Sequence, residues 1–213
     1  MAAQARADAD HARWLAEQQR KLAALAPNAP LREWLPWLDV SRDDLREPAL
    51  AAVRRRPTLE PDLAGMLRGT EASRALRFLW LWMPAPPASL AVPTRDAVAS
   101  LPAWADRYLA SPPSPPPPGP IDNTPVVFPP ENPVDLSDMT QAAIVLADAY
   151  RSSGPDFTTP IRAFAATLQH HALSPEQFDA DPTYQSRAYL DAWRGRPAAA
   201  TPSSHLAPRI SGQ

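Results

Sequence analysis

The sequence contains no cysteine. This absence excludes disulfide bonds, thiolate zinc sites, iron–sulfur clusters and a cysteine nucleophile. Glycine is also scarce, with six residues where average usage gives roughly fifteen for a chain of this length. The six glycines are scattered and form no phosphate-binding loop, and no serine lies in a Gly-x-Ser-x-Gly elbow. The common nucleotide-binding and serine-hydrolase motifs are therefore absent.

An excess of positive charge is lacking as well. The 21 Lys and Arg residues are balanced by 23 Asp and Glu, giving a formal charge of −2. A general nucleic-acid binder uses a positive surface to contact phosphates, so we expect no nucleic-acid partner.

Long apolar runs are missing too. The longest uncharged apolar stretch, residues 78–94, is interrupted by four prolines, whereas a membrane span needs roughly twenty continuous apolar residues. Residues 1–26 contain seven charged side chains and no apolar run typical of a signal peptide. We therefore expect no membrane span and a cytoplasmic location, and leave open that the chain is the soluble part of a larger or membrane-anchored protein.

Proline is abundant, with 29 residues where average usage gives roughly eleven. Most prolines lie between apolar patterns of helical spacing, and proline is tolerated in a first helical turn but breaks a helix interior. No segment shows a convincing alternating strand pattern. The sequence therefore predicts an all-α fold, an irregular, solenoid-like stack of short antiparallel helical hairpins.

One segment divides this helical pattern. Residues 111–133, here called the proline-rich segment, contain eleven prolines in twenty-three positions and favour polyproline II conformation. We predict a helical region over 1–110, a small helical bundle over 134–196 and a disordered tail over 197–213. Two interpretations of the segment stay open: a strap lying across the amino-terminal helices against tryptophan rings, or a flexible spacer.

Capping residues predict where the helices begin. The predicted caps are Asn28, Ser41, Thr58, Thr70, Thr94, Asp135, Thr159, Ser174 and Asp181. Pro36 is expected to end the helix that Asn28 starts. The helix over 71–83 is apolar on every side near its end, so it must be enclosed on most sides. Trp80 and Trp82 lie about 200° apart around its axis and cannot pack into the same face.

Residues 41–83 combine short helices and tight turns with a proline, Pro48, early in the first helix of a pair. In these features the stretch resembles a HEAT-type α-solenoid, in which paired helices stack side by side. The resemblance covers about a fifth of the chain. It implies a protein-binding surface and carries over no catalytic residue.

Aromatic and basic residues are the candidate binding groups. Tryptophan packs well against proline rings and anchors protein interfaces, and the chain has seven. The basic triplet at the end of a predicted helix complements the helix dipole or binds an acidic partner. The candidate protein-binding residues are Trp34, Trp37, Trp80, Trp82, Trp104, Arg54, Arg55 and Arg56.

These observations favour a non-catalytic scaffold or adaptor that binds another protein, without cofactor, metal or catalytic residue. The alternative is a metal-dependent hydrolase that uses His170 or His171 with Asp179 or Asp181. Adjacent helical positions lie about 100° apart, so the two histidines cannot both face one metal ion. Partly exposed histidines near a helix end explain the pair more simply.

Overall fold

The computed structural model describes residues 2–39, 42–110, 135–151, 154–172 and 181–194. Within these ranges all regular secondary structure is helical, which confirms the predicted all-α class. No helix of this part of the chain is long and apolar enough to cross a membrane. The proline-rich segment, the tail over 197–213, Ser41 and Ser174 lie outside the described residues, so the predictions made for them stay predictions.

The described residues form ten α-helices and two short 3₁₀ helices. In chain order the α-helices are α1 (Ala2–Ala23), α2 (Leu31–Trp34), α3 (Asp43–Arg54), α4 (Leu59–Leu67), α5 (Ala72–Trp82), α6 (Ala91–Ala99), α7 (Leu101–Ala110), α8 (Leu136–Ala149), α9 (Thr158–His170) and α10 (Tyr184–Arg194). The 3₁₀ helices, Leu35–Leu38 and Ala88–Leu90, precede α3 and α6.

The chain divides into two compact units, with the boundary inside α4 at Asp62 and Leu63. In the first unit, α3 packs against α1, α2 and the first 3₁₀ helix. Leu45, Ala49 and Val53 recur every four residues along α3 and are fully or almost fully buried. This spacing places them on one helix face, which forms the centre of the first core.

The second unit is built around α8 and α9. Helix α8 packs against α5 and α10, and α9 packs against α6, α7 and α10. Most of α8 is apolar and eight of its fourteen residues are buried, so neighbours enclose it on several sides. Helices from before and after the proline-rich segment thus share one unit. The division of the chain into regions 1–110 and 134–196 stays a prediction.

One of the predicted caps has the expected geometry. The Asp135 carboxylate accepts a hydrogen bond from the amide of Asp138 at 2.6 Å, directly before α8. It thereby satisfies an amide that has no partner inside this helix. The Asp181 carboxylate accepts from the amide of Thr183 at 2.8 Å, but Thr183 is the residue that directly precedes α10, so Asp181 lies two residues before the cap position.

Two helix starts were placed wrongly. Pro30, not Asn28, precedes α2, and the chain continues through Pro36 as a 3₁₀ helix because proline is tolerated in a first helical turn. Thr94 is a fully buried residue inside α6, which begins three residues earlier at Ala91. Pro93 occupies the first turn of α6, where its missing N–H costs no hydrogen bond.

The remaining starts differ by about one residue. Glu71 rather than Thr70 is the N-cap of α5, and α9 begins at Thr158 rather than after Thr159. Asp156 accounts for the second shift because its carboxylate accepts from the amide of Thr158 at 2.8 Å. Helix α4 begins at Leu59, directly after Thr58, as predicted.

Candidate protein-binding surface

Two aromatic side chains lie together on α7. Leu101 and Ala105 form the buried face of this helix. Trp104 and Tyr108, four residues apart, flank that face and are half-buried. Their rings stack with centroids 5.1 Å apart and planes inclined by 25°. These two residues, here called the α7 aromatic pair, present a joined aromatic surface at the edge of the second core.

Burial and a neighbouring carboxylate both favour the protonated phenol of Tyr108. Burial raises the pKa of Tyr108, and the nearby Asp135 carboxylate raises it further. The hydroxyl is therefore an uncharged hydrogen-bond donor at physiological pH. Asp106 and Arg107, on the same helix, are exposed. An aromatic surface thus lies beside one acidic and one basic side chain.

Trp80 and Trp82 lie at the end of α5. Leu76 and Leu79 of this helix are completely buried, whereas both tryptophans are half-buried. Helix α5 packs against α8 and α6, so part of each indole contributes to the second unit and part reaches its surface. This fits the expectation that both tryptophans cannot occupy one buried face.

The other two candidate tryptophans belong to the first unit. Trp34, at the end of α2, is 5% exposed and is a core residue. Trp37, in the following 3₁₀ helix, is half-buried. Of this pair, Trp37 is the one with indole surface that another molecule can contact.

The three arginines of the basic triplet, Arg54, Arg55 and Arg56, differ in how exposed they are. Arg54 ends α3 and is exposed, as is Arg55. The Arg56 side chain is only 7% exposed and donates hydrogen bonds to the carbonyl of Pro27 at 2.8 Å and to the Asp62 carboxylate at 2.9 Å. Arg56 therefore joins two loops of the first unit, while Arg54 and Arg55 carry the surface charge.

The two candidate histidines lie at the end of α9. Their rings meet edge to face with centroids 5.6 Å apart. His171 Nε2 lies 2.8 Å from Asp106 Oδ1 of α7. In the part of the chain that the structure describes, no three His, Cys, Asp or Glu side chains form a group that could hold a metal ion.

Of the two carboxylates suggested as metal ligands, Asp181 is the one that the structure describes. Asp179 lies outside the described residues. The Asp181 side chain is 2% exposed, and it accepts hydrogen bonds from Thr183 Oγ1 at 2.7 Å and from the Arg187 guanidinium. Burial opposes ionisation of Asp181 most strongly, but these hydrogen bonds and the positive charge together hold its pKa below the usual range. Asp181 is thus a structural carboxylate.

A small groove lies between α9 and α10. Its volume is about 190 Å³, and its lining residues are Ala165, Ala166, Gln169, Arg187 and Asp191. Small-molecule sites usually measure about 300–1,000 Å³. The Arg187 guanidinium is already engaged by Thr183 Oγ1 at 3.0 Å and Gln169 Oε1 at 3.3 Å. The groove is therefore smaller than a usual small-molecule site.

Some surface residues had not been singled out in the sequence. Tyr108 is one, although its spacing of four from Trp104 on a helical pattern is a recognisable signal. Val92, Tyr184 and Tyr189 are also large apolar or aromatic side chains with more than two-fifths of their surface exposed. Their exposure depends on which helix faces pack together, and the sequence alone does not show that.

Comparison with protein-family models, with curated proteins and with solved structures gives no match.

Proposed function

We propose that this protein is a non-catalytic scaffold or adaptor that binds another protein through the α7 aromatic pair. The supporting observation is the stack of Trp104 on Tyr108 at the surface of a helix whose other face is buried. Tryptophan and tyrosine are the residues most often found as energetic anchors of protein interfaces.

The geometry of the pair suits an anchor. Each ring restrains the other, and α7 is held by packing against α9, α8 and α6. A partner therefore orders few new side-chain rotamers when it binds, which lowers the entropic cost of association. The protonated hydroxyl of Tyr108 supplies a donor at the edge of the apolar surface.

The residues next to the pair fit the rim of an interface. Asp106 and Arg107 are exposed, and interfaces commonly surround an aromatic centre with polar and charged side chains. Such rim charges guide orientation and association rate more than affinity.

The HEAT-type resemblance of residues 41–83 supports the same class of function. Stacked helical pairs of that type provide extended protein-binding surfaces. Under this proposal Arg54 and Arg55 give the first unit an exposed positive charge that suits an acidic partner, whereas Arg56 maintains the fold.

Affinity purification from the native cell tests the proposal. The bait proteins are the natural chain, a Trp104→Gln/Tyr108→Gln variant, and a Tyr189→Gln variant that alters an exposed aromatic on α10. We expect one protein to be retained by the natural chain and by Tyr189→Gln, and to be depleted at least tenfold on the α7 variant. Equal retention on all three baits, or no retained protein on any, contradicts the proposal.

A further inference from the structure

Thr58 is an exposed threonine that follows the basic triplet. It lies in the connection between α3 and α4, outside regular helix. In the whole sequence it is the only serine or threonine with a basic residue three positions before it. That residue is Arg55. Since a hydroxyl in an exposed connection is accessible to another protein, Thr58 is a candidate for covalent modification.

Arg55 is well placed for recognition by a modifying enzyme. It is exposed, and its guanidinium makes no hydrogen bond or ion pair within the part of the chain that the structure describes. Protein kinases select their substrates by the charges around the acceptor hydroxyl. Arginine-directed kinases bind an arginine three residues before the acceptor with carboxylates, which match the guanidinium geometry. The spacing and exposure of Arg55 fit this class of kinase.

The Thr58 hydroxyl adjoins a buried guanidinium. Thr58 Oγ1 donates a hydrogen bond to Asp62 Oδ2 at 2.9 Å. Arg56 Nη2 donates to the same oxygen at 2.9 Å, while Arg56 Nη1 donates to the carbonyl of Pro27 at 2.8 Å. One carboxylate oxygen therefore separates the acceptor hydroxyl from the Arg56 side chain, which is 7% exposed.

Arg56 also has an unused donor on the edge that faces Asp62. Nε and Nη2 form one edge of a guanidinium, and this edge binds two oxygens of a phosphate. Nη2 of Arg56 is engaged by Asp62, but the buried Nε has no hydrogen-bond partner among the described residues. The edge thus has room for a second oxygen acceptor.

A phosphate on Thr58 would change the partners of this cluster. It removes the hydroxyl proton that Asp62 accepts and places a charge of about −1.5 to −2 beside that carboxylate. Like charges at this separation repel each other, whereas the guanidinium attracts the phosphate. The phosphate therefore competes with Asp62 for Arg56.

We propose that Thr58 is a phosphorylation site for an arginine-directed protein kinase, and that the phosphate takes the Nε and Nη2 edge of Arg56 from Asp62. In the transfer, Thr58 Oγ1 attacks the γ-phosphorus of ATP and the bond from that phosphorus to the bridging oxygen of ADP breaks. The hydroxyl proton passes to the catalytic aspartate of the kinase. The products are ADP and phosphorylated Thr58.

Phosphoryl transfer to the purified full-length chain tests recognition. The chain is incubated with Mg²⁺, ATP and the catalytic subunit of cyclic-AMP-dependent protein kinase, an arginine-directed enzyme, and the phosphate is located by mass spectrometry. We expect one phosphate on Thr58 of the natural chain, retained in Thr58→Ser and absent from Thr58→Ala. Arg55→Ala should lower kcat/KM at least about tenfold. Arg32→Ala, at an exposed arginine of the first unit, should leave it unchanged.

The chain isolated from its native cell with phosphatase inhibitors should also carry phosphate on Thr58. Absence of this phosphate in either experiment overturns the site. Equal rates for Arg55→Ala and Arg32→Ala overturn recognition through Arg55.

Asp62→Asn tests the proposed change of partner. In the unphosphorylated chain this substitution removes the charge that pairs with Arg56, so the urea midpoint should fall. In the phosphorylated chain it removes a carboxylate that repels the phosphate, so the midpoint should stay the same or rise. An equal fall in both forms would show that Arg56 stays with Asp62, and would overturn the contact between Arg56 and the phosphate.

Discussion

The hydroxyl of Tyr150 donates a hydrogen bond to the main-chain carbonyl of Pro87 at 3.1 Å. Tyr150 ends α8, is 2% exposed, and also stacks on Phe157 with nearly parallel rings. This single side chain therefore ties the turn after α5 to the end of α8 within the second unit.

Replacing Tyr150 with Phe tests that connection. Phe keeps the ring and its stack on Phe157 but leaves the Pro87 carbonyl without this donor. We expect the free energy of unfolding to fall by about 1 kcal/mol, the usual effect of losing one internal hydrogen bond. Urea unfolding measures it, and Tyr189→Phe at an exposed position should change stability by less than about 0.5 kcal/mol. Equal effects of the two variants would show that the hydrogen bond contributes nothing.

Gly154 is required by a close approach rather than by an unusual backbone angle. A Cβ added there would lie 2.8 Å from the carbonyl oxygen of Tyr150 and 3.0 Å from its Cβ. Because backbone cannot move aside easily, we expect Gly154→Ala to destabilise the protein by about 1–3 kcal/mol.

Gly65→Ala provides a control that should change the stability of the protein in the opposite direction. Gly65 lies inside α4, and a Cβ added there meets nothing within 4 Å. Gly65→Ala should therefore stabilise the chain by about 0.5–1 kcal/mol, since alanine loses less backbone entropy in a helix. Thermal melting of the two variants should give shifts in opposite directions. A Gly154→Ala variant as stable as the natural chain would contradict the close approach.

Arg55 and Arg56 are adjacent in sequence but differ in role. Arg56 is nearly buried and binds the Pro27 carbonyl and Asp62, whereas Arg55 is exposed. We expect Arg56→Ala to lower the free energy of unfolding by about 2–3 kcal/mol, because two acceptors lose a charged donor. Arg55→Ala should stay within about 0.5 kcal/mol of the natural chain. The reverse order in chemical denaturation would refute this assignment.

The lowered pKa of Asp181 predicts that the free energy of unfolding depends on pH. This pKa is lowered in the folded chain, and an aspartate in the unfolded chain titrates near about pH 3.9. The unfolded state therefore binds protons more readily, so this stabilisation is fully present above about pH 4 and is lost as the pH falls through the folded-state pKa. Asp181→Asn should cost about 1–3 kcal/mol at pH 7.

The difference between the natural chain and Asp181→Asn isolates this group from other carboxylates that titrate at low pH. We expect the difference in unfolding free energy to shrink as the pH falls below about pH 4. A difference that is constant over this range would show that the charge of Asp181 does not stabilise the fold.

The sequence predicted those features of the fold that depend on residues close together in the chain. Asp135 caps α8 because an acidic side chain directly before a helical pattern satisfies the first amides, whatever the rest of the fold. Leu45, Ala49 and Val53 share one buried face because they recur every four residues, a spacing that is visible in the sequence. The prediction that Thr94 caps a helix was wrong. In a sequence, a threonine next to a proline looks the same whether it precedes a helix or is buried inside one.

Contacts between distant residues could not be predicted. The hydrogen bonds from Tyr150 to Pro87 and from Arg56 to Pro27 depend on which helix faces meet. Periodicity in a single sequence predicts which face of a helix is apolar, but not which other helix packs against it. The α7 aromatic pair is an intermediate case. Its spacing is visible in the sequence, but its partial exposure is not.

Photo-cross-linking tests the proposed function most directly. Tyr108 is replaced by p-benzoylphenylalanine in the native cell, with the same replacement of Tyr189 as control. We expect one discrete adduct with another protein from position 108, suppressed by an excess of the natural chain, and no such adduct from position 189. The absence of an adduct at 108, or the same adducts from both positions, would contradict protein binding through the α7 aromatic pair.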